Sequence, residues 1–232
     1  SGPEPAIRWR TFCEQVIDLS EALGVQMVTS LGALLADVPH SRPVSVTGIA
    51  TPSLEARLVP RLGLREDVVR IPVFGLGCVA GGTGIALLHD FLRGRPDGVA
   101  VLVAVELCSL TVQRDDPSLA NLVASGLFGD GAAAVVAVGA NRAEPGPEVV
   151  AARGRLYPDS EDVMGWRIGA HGFQVVLAND VADVVGRYLA GDVDGFLAEH
   201  GLERTDIAAW VCHPGGPKVL EAIQRALDLP PD

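Results

Sequence analysis

At 232 residues, 48% of them hydrophobic and 20% charged, the chain is long enough to bury a sizeable core and too apolar for an intrinsically disordered segment. A formal net charge of −11 at pH 7, with no run of Lys or Arg, argues against nucleic acid as a partner, because the summed field repels a polyanion. The four cysteines, Cys13, Cys78, Cys108 and Cys212, make neither a CxxC pair nor a Cys/His metal spacing; with no apolar run reaching the ~20 residues a bilayer needs, the expectation is a soluble, cytoplasmic protein without a structural metal or disulfide framework.

Residues 1–5 read as a loose end. Residues 11–35 carry apolar side chains at helix-like spacing, interrupted by Gly24 and Gly32, and predict an opening helix. A short β-rich run follows at 43–48, helical spacing returns at 53–64, and 68–74 form a β-branched strand closed by Gly75-Leu76-Gly77. A helix opens among small residues at 78–92. Residues 98–107, GVAVLVAVEL, are almost wholly apolar, the composition of a central parallel strand covered on both faces. A polar loop at 113–118 leads to a helix ending at Leu127, the turn Phe128-Gly129-Asp130-Gly131 and a strand at 132–138.

Residues 141–148, NRAEPGPE, have linker composition and separate two halves, 1–140 and 149–232. The second half reads as a strand near Val149, a Gly-rich turn at 165–172, a helix at 180–197, a strand at 208–212 and a helix at 218–227. Strands alternating with helices predict an α/β fold with helices on both sides of the sheet.

Two residues stand out for their chemistry. Cys78 lies where a strand ends, a double-glycine turn intervenes and a small-residue helix begins. Backbone N–H groups and the positive helix end would converge on its sulfur and lower the thiol pKa, favouring the nucleophilic thiolate; the alternative is an inert core cysteine. His213 ends the apolar segment 208–212 and precedes the rigid Pro214-Gly215-Gly216-Pro217, so it would face the crevice at the carboxyl end of a parallel strand. A core histidine satisfied by a backbone carbonyl explains it equally well. His40, His89, His171 and His200 lie in turns, in the helix behind Cys78 or at a helix end. Arg57, Arg61, Arg65 and Arg70 could meet an anionic cofactor locally, although a solvated helix face accounts for them.

GLGCVAGGTG around Cys78, ELCSLT from Glu106, GLFGDGAAAVV from Gly126 and WVCHPGGPKVLE from Trp210, with TGIATPSLEARL from Thr47, together resemble the type III polyketide synthases, chalcone-synthase-like enzymes, in their bacterial branch. The resemblance runs from about Thr11 to the end of the chain. It implies a thiolase fold, layered αβαβα and present here as an incomplete portion. It also implies an acyltransferase that condenses malonyl-CoA onto an acyl-CoA starter, with no cofactor beyond the CoA thioesters. Cys78 matches the acyl-carrying nucleophile and His213 the catalytic histidine that pairs with the thiolate and stabilises the enolate. Phe128 matches a gatekeeping aromatic, Cys108 and Thr111 match cavity-lining positions, and Thr51 matches a residue that each subunit of a homodimer lends to its partner's cavity. Lys218 is a further candidate for a CoA contact.

The family's Gly-Asn-Met-Ser-Ser asparagine has no counterpart before Asp232, and too few residues precede Cys78 for the family's basic N-terminal helices. The expectation is therefore a truncated chain that condenses poorly alone. Val175 aligns with a second gatekeeping phenylalanine, with Phe173 two residues away. A smaller wall at Val175 and a less polar one at Cys108 predict fatty acyl starters and alkylpyrone or alkylresorcinol products, since each buried methylene contributes about 0.8 kcal/mol. Three readings compete, one of them a fatty-acid-type initiating condensing enzyme, which shares the Cys/His/Asn logic but not LFGDGAAAVV followed by HPGGP at this spacing. A dinucleotide-binding domain is suggested by Gly75, Gly77, Gly81 and Glu106 but leaves Cys78 and HPGGP unexplained. A non-catalytic thiolase-fold subunit would have little reason to keep both Cys78 and His213.

Overall fold

The computed structural model describes residues 27–33, 52–61, 63–111, 113, 115–142, 146–169, 172–178 and 180–230. The readings for 43–48 and for 11–35 apart from 27–33 lie outside the described residues, as does Thr51. The chain divides into two compact units, Ser1–Gly154 with Ile168–Gln174, and Arg155–Arg167 with Val175–Asp232.

The first unit is built on a four-stranded sheet. Its elements in chain order are strand β1 (Met27–Ala33), helix α1 (Leu54–Arg61), strand β2 (Val69–Val73), helix α2 (Ala80–Arg93), strand β3 (Val99–Glu106), helix α3 (Leu119–Leu127) and strand β4 (Gly131–Val138). The order across the sheet is β2-β1-β3-β4, with β1 parallel to both its neighbours and β4 antiparallel to β3. The opening helix predicted over 11–35 is thus overturned at 27–33. β3 pairs along the whole of β1 and β2 along its first five residues, and that tertiary gain overrides the helix-like spacing of a short segment.

The other elements of this unit follow the sequence reading. Ala80, Gly84, Leu88 and Leu92 recur every fourth residue of α2 and are all buried, a single stripe facing the sheet. Ala80, Leu88 and Leu92 pack on Ala100 and Leu102 of β3. The alternate residues of the same strand, Val99, Val101, Val103 and Val105, pack on the opposite face with Leu54 of α1 and Val68. That two-sided burial is why the segment lacks polar alternation. Beyond β4, the amide of Gly139 donates to the Gly98 carbonyl at 2.9 Å and that of Asn141 to the Pro96 carbonyl at 3.0 Å, while the Asn141 side chain donates to Asp97 at 3.0 Å. The first residue of the predicted linker is therefore tied to the turn that enters β3.

In the remaining chain, β5 (Met164–Gly169) and β6 (Gly172–Leu177) pair as a two-stranded sheet, followed by helices α4 (Val181–Glu199) and α5 (Pro217–Leu227). Arg204 fastens the two helices: its guanidinium donates to Asp194 at 2.6 and 2.8 Å and to the Ala226 carbonyl at 3.0 Å. The predicted Gly-rich turn at 165–172 is largely strand β5, in which Trp166 and Ile168 alternate with Gly165, Arg167 and Gly169. The strands read at Val149 and 208–212 do not form. Among the described residues neither segment has a strand beside it to accept its backbone hydrogen bonds, and Val211 is fully exposed. No helix of the described residues is long and apolar enough to cross a membrane.

Candidate active site

The cradle of Cys78 is made by glycines. After β2 ends at Val73, Gly75 (φ +84°) and Gly77 (φ +53°) both take left-handed backbone that L side chains rarely adopt. They turn the chain into a single 3₁₀ turn, Gly77–Val79, which runs straight into α2. Cys78 is exposed at this junction. The expected sign of its thiol shift is reversed: partial desolvation of the sulfur and then the negative field of Glu106 push the thiol up, against a smaller opposing hydrogen bond from its own backbone. One backbone donor is too little to outweigh these two.

Glu106 is the last residue of β3, and desolvation pushes its carboxyl up to about 6, so it carries its charge at neutral pH. Cys108, two residues on, opens a 3₁₀ turn, Cys108–Thr111, and its thiol is pushed up to about 11 by desolvation and then by Glu106, Asp130 and Cys78. The structure therefore brings Cys78, Glu106, Cys108 and Asp130 into one electrostatic neighbourhood. Thr111 is buried, and its hydroxyl donates to the Cys108 carbonyl at 2.8 Å. Phe128 caps the carboxyl end of α3, its amide donating to the Ala124 carbonyl at 2.9 Å, and is half-buried.

Replacing Glu106 by Gln removes a charge that opposes the thiolate throughout the range where Cys78 titrates. Iodoacetamide should then alkylate Cys78 about three-fold faster at pH 7.5, the effect of a unit charge several ångströms away in a mostly aqueous dielectric. A rate equal to that of the wild type would show that Glu106 does not govern the thiol.

His213, Lys218 and Val175 belong to the other unit. His213 follows an irregular segment, in contrast to the strand end expected for it, and is exposed; its carbonyl accepts from the Gly215 amide at 2.9 Å. The turn is completed by Gly216 at φ +106°, and Pro217 starts α5. Lys218 is exposed in the first turn of that helix, and Val175 is half-buried in β6. Phe173 is 4% exposed, and its carbonyl accepts from the Gln113 side chain at 3.1 Å. The four arginines weighed for an anion are exposed, and Arg65 is taken up by a two-point pair with Asp67 at 2.8 and 2.6 Å. Among the described residues no group of His, Cys, Asp and Glu could hold a metal ion.

Sequence reasoning missed Ser109 and Asp130, and saw Glu106 only as a possible ribose ligand. The Ser109 amide donates to one Asp130 oxygen at 2.7 Å and its hydroxyl to the other at 2.6 Å. An Asp in a Gly-flanked turn is the one local signal for such a partner.

The comparisons place this sheet, with its strand, glycine turn and helix around Cys78, within the thiolase fold. The family model described as "Chalcone and stilbene synthases, N-terminal domain" matches residues 3–142; the chain belongs to the chalcone and stilbene synthase family. It is 58% identical over 202 residues to a 1,3,6,8-tetrahydroxynaphthalene synthase of Streptomyces peucetius subsp. caesius, covering 86% of this chain and 53% of that protein. It is 38% identical over 192 residues to a putative chalcone synthase of Bacillus subtilis, covering 80% and 53%. The crystal structure of the tetrahydroxynaphthalene synthase from Streptomyces coelicolor, a bacterial type III polyketide synthase, superposes with a TM-score of 0.81 at 28% identity, covering 97% of this chain and 63% of that one. The chain thus spans about half the length of the curated relatives it matches.

Proposed function

We propose that this protein acts as a type III polyketide synthase, with Cys78 as the acyl carrier. The observation that carries the reading is Cys78 exposed at a strand–turn–helix junction in a chain of this family. The Cys78 thiolate attacks the thioester carbonyl of acyl-CoA and CoA thiolate departs. Malonyl-CoA then loses carbon dioxide, and the electron pair of the broken C–C bond becomes an enolate. Its carbon attacks the Cys78 thioester, a C–C bond forms and the cysteine thiolate leaves, giving a β-ketoacyl-CoA two carbons longer. In this proposal His213 pairs with the thiolate and steadies the enolate oxygen, Lys218 meets CoA, and Cys108, Thr111, Phe128 and Val175 shape the growing chain. Decarboxylation and thioester cleavage drive the steps, so no metal or redox cofactor is required.

For the product, 58% identity to a 1,3,6,8-tetrahydroxynaphthalene synthase favours a polyhydroxylated aromatic without an alkyl tail, because alternate oxygenation is the pattern that head-to-tail two-carbon units leave. Val175 and Cys108 support the second reading, a fatty acyl starter carried into an alkylpyrone or alkylresorcinol. Mass spectrometry of products from malonyl-CoA alone and with decanoyl-CoA separates them. A C10 aromatic from malonyl-CoA alone supports the first, and products that carry the decanoyl starter as a nine-carbon alkyl side chain at higher kcat/KM support the second. No labelled acyl group on Cys78 after incubation with either CoA thioester would overturn the assignment. A second copy of the chain, lending Thr51, is the proposed partner. The exposed Leu119, Leu122 and Leu127 of α3 leave apolar surface for one to cover, and sedimentation at twice the chain mass is the expected result.

A further inference from the structure

Asp130 and Ser109 are twenty-one positions apart in sequence, yet they are joined at two points, and both bonds end on an ionised carboxylate, the stronger kind of hydrogen bond. Ser109 offers its amide and its hydroxyl to separate oxygens, so its orientation is fixed as well as its distance. The two loops leave the same end of the sheet: Glu106, the last residue of β3, stands opposite Gly131, the first of β4. One loop carries Cys108 immediately before Ser109. It is closed from within by the hydroxyl of buried Thr111 on the Cys108 carbonyl. The other loop carries Phe128 two residues before Asp130, and α3 anchors it through the Phe128 amide.

We propose that Asp130 and Ser109 are positioning residues, a two-point clamp that holds the Cys108 turn and the Phe128 loop as one rigid wall and thereby sets the length at which the growing chain is released. The effect on chain length rests on the polyketide synthase reading above; the clamp itself does not. Cutting it frees the Cys108 turn to expose its sulfur. The Asp130 charge also helps to hold that thiol protonated, so Asp130→Asn removes geometry and charge together, whereas Ser109→Ala cuts one bond and leaves the charge in place.

The test is peptide-mapped iodoacetamide alkylation of the intact chain at pH 8, with Cys78 as the internal reference, on folded variants of unchanged far-UV circular dichroism. Cys108 should react about five-fold faster relative to Cys78 in Ser109→Ala and about ten-fold faster in Asp130→Asn, with Ser109→Thr restoring the wild-type ratio. A Ser109→Ala ratio within two-fold of the wild type overturns the clamp, even if Asp130→Asn reacts faster, because charge alone would then explain the effect. If Asp130→Asn fails to fold, the Ser109 pair decides the question. With malonyl-CoA, the ratio of early-released short lactones to full-length product should rise at least three-fold in Ser109→Ala and return in Ser109→Thr. An unchanged ratio in an enzyme whose Cys108 has become reactive overturns the control of length. A wild-type protein that takes no labelled acyl group onto Cys78 defeats the polyketide reading and leaves the alkylation result to judge the clamp.

Discussion

Cys78→Ala should form no covalent adduct with radiolabelled malonyl-CoA or acyl-CoA and should lose product formation by at least about a thousand-fold. In the proposed mechanism this removes the covalent nucleophile and leaves only binding and electrostatic stabilisation to accelerate the reaction. Cys108 is no substitute, because with its thiol pushed up to about 11 it is almost wholly protonated at neutral pH. Intact-mass measurement after acid quench reads the adduct directly. Label retained on Cys78→Ala would assign the acyl carrier to another residue.

The largest loss of stability is expected far from that cysteine, at Gly139. A β-carbon placed there would lie 2.3 Å from the Pro96 carbonyl oxygen and 2.6 Å from that of Arg95. Both are backbone atoms in the turn that enters β3, so no side chain can swing away, and the Gly139–Gly98 and Asn141–Pro96 hydrogen bonds hold the two segments together. Gly139→Ala must therefore push the end of β4 off the start of β3, at a cost of about 2–4 kcal/mol. For a chain of this size that lowers Tm by roughly 5–12 °C. A melting curve that superimposes on the wild type would show that the turn relaxes freely. Gly126→Ala, where nothing lies within 4 Å of the added carbon, is the matched control and should stay within about 1 kcal/mol.

Where burial is written in a local period, the sequence was readable. The four-residue spacing of Ala80, Gly84, Leu88 and Leu92 and the unbroken apolar run of β3 each state which surfaces are covered. The place of Cys78 was readable for a related reason, since Gly75 and Gly77 mark the turn chemically. Interactions between distant residues leave no such mark. β1 is a strand because two neighbours from far along the chain pair with it, and 208–212 is irregular because no described strand does, although the apolar content of each segment suggests the opposite. The upward shift of the Cys78 thiol comes partly from Glu106 on the next strand, and the Ser109–Asp130 bonds join two loops that only the β3–β4 register brings together. A local inventory of helix ends and glycines contains neither.

The place of β1 in the sheet also bears on how the protein folds. β2 and β3 are successive strands joined through α2, yet they do not pair with each other; β1, much earlier in the chain, lies between them and pairs Met27 with both Val69 and Ala100. The parallel β2–α2–β3 crossover therefore cannot complete itself from neighbouring sequence, and the sheet closes only when a remote strand threads into the gap. Such high contact order slows folding and keeps the apolar edges of β2 and β3 open while the chain searches. During synthesis β1 emerges first and must wait, unpaired, for both of its partners.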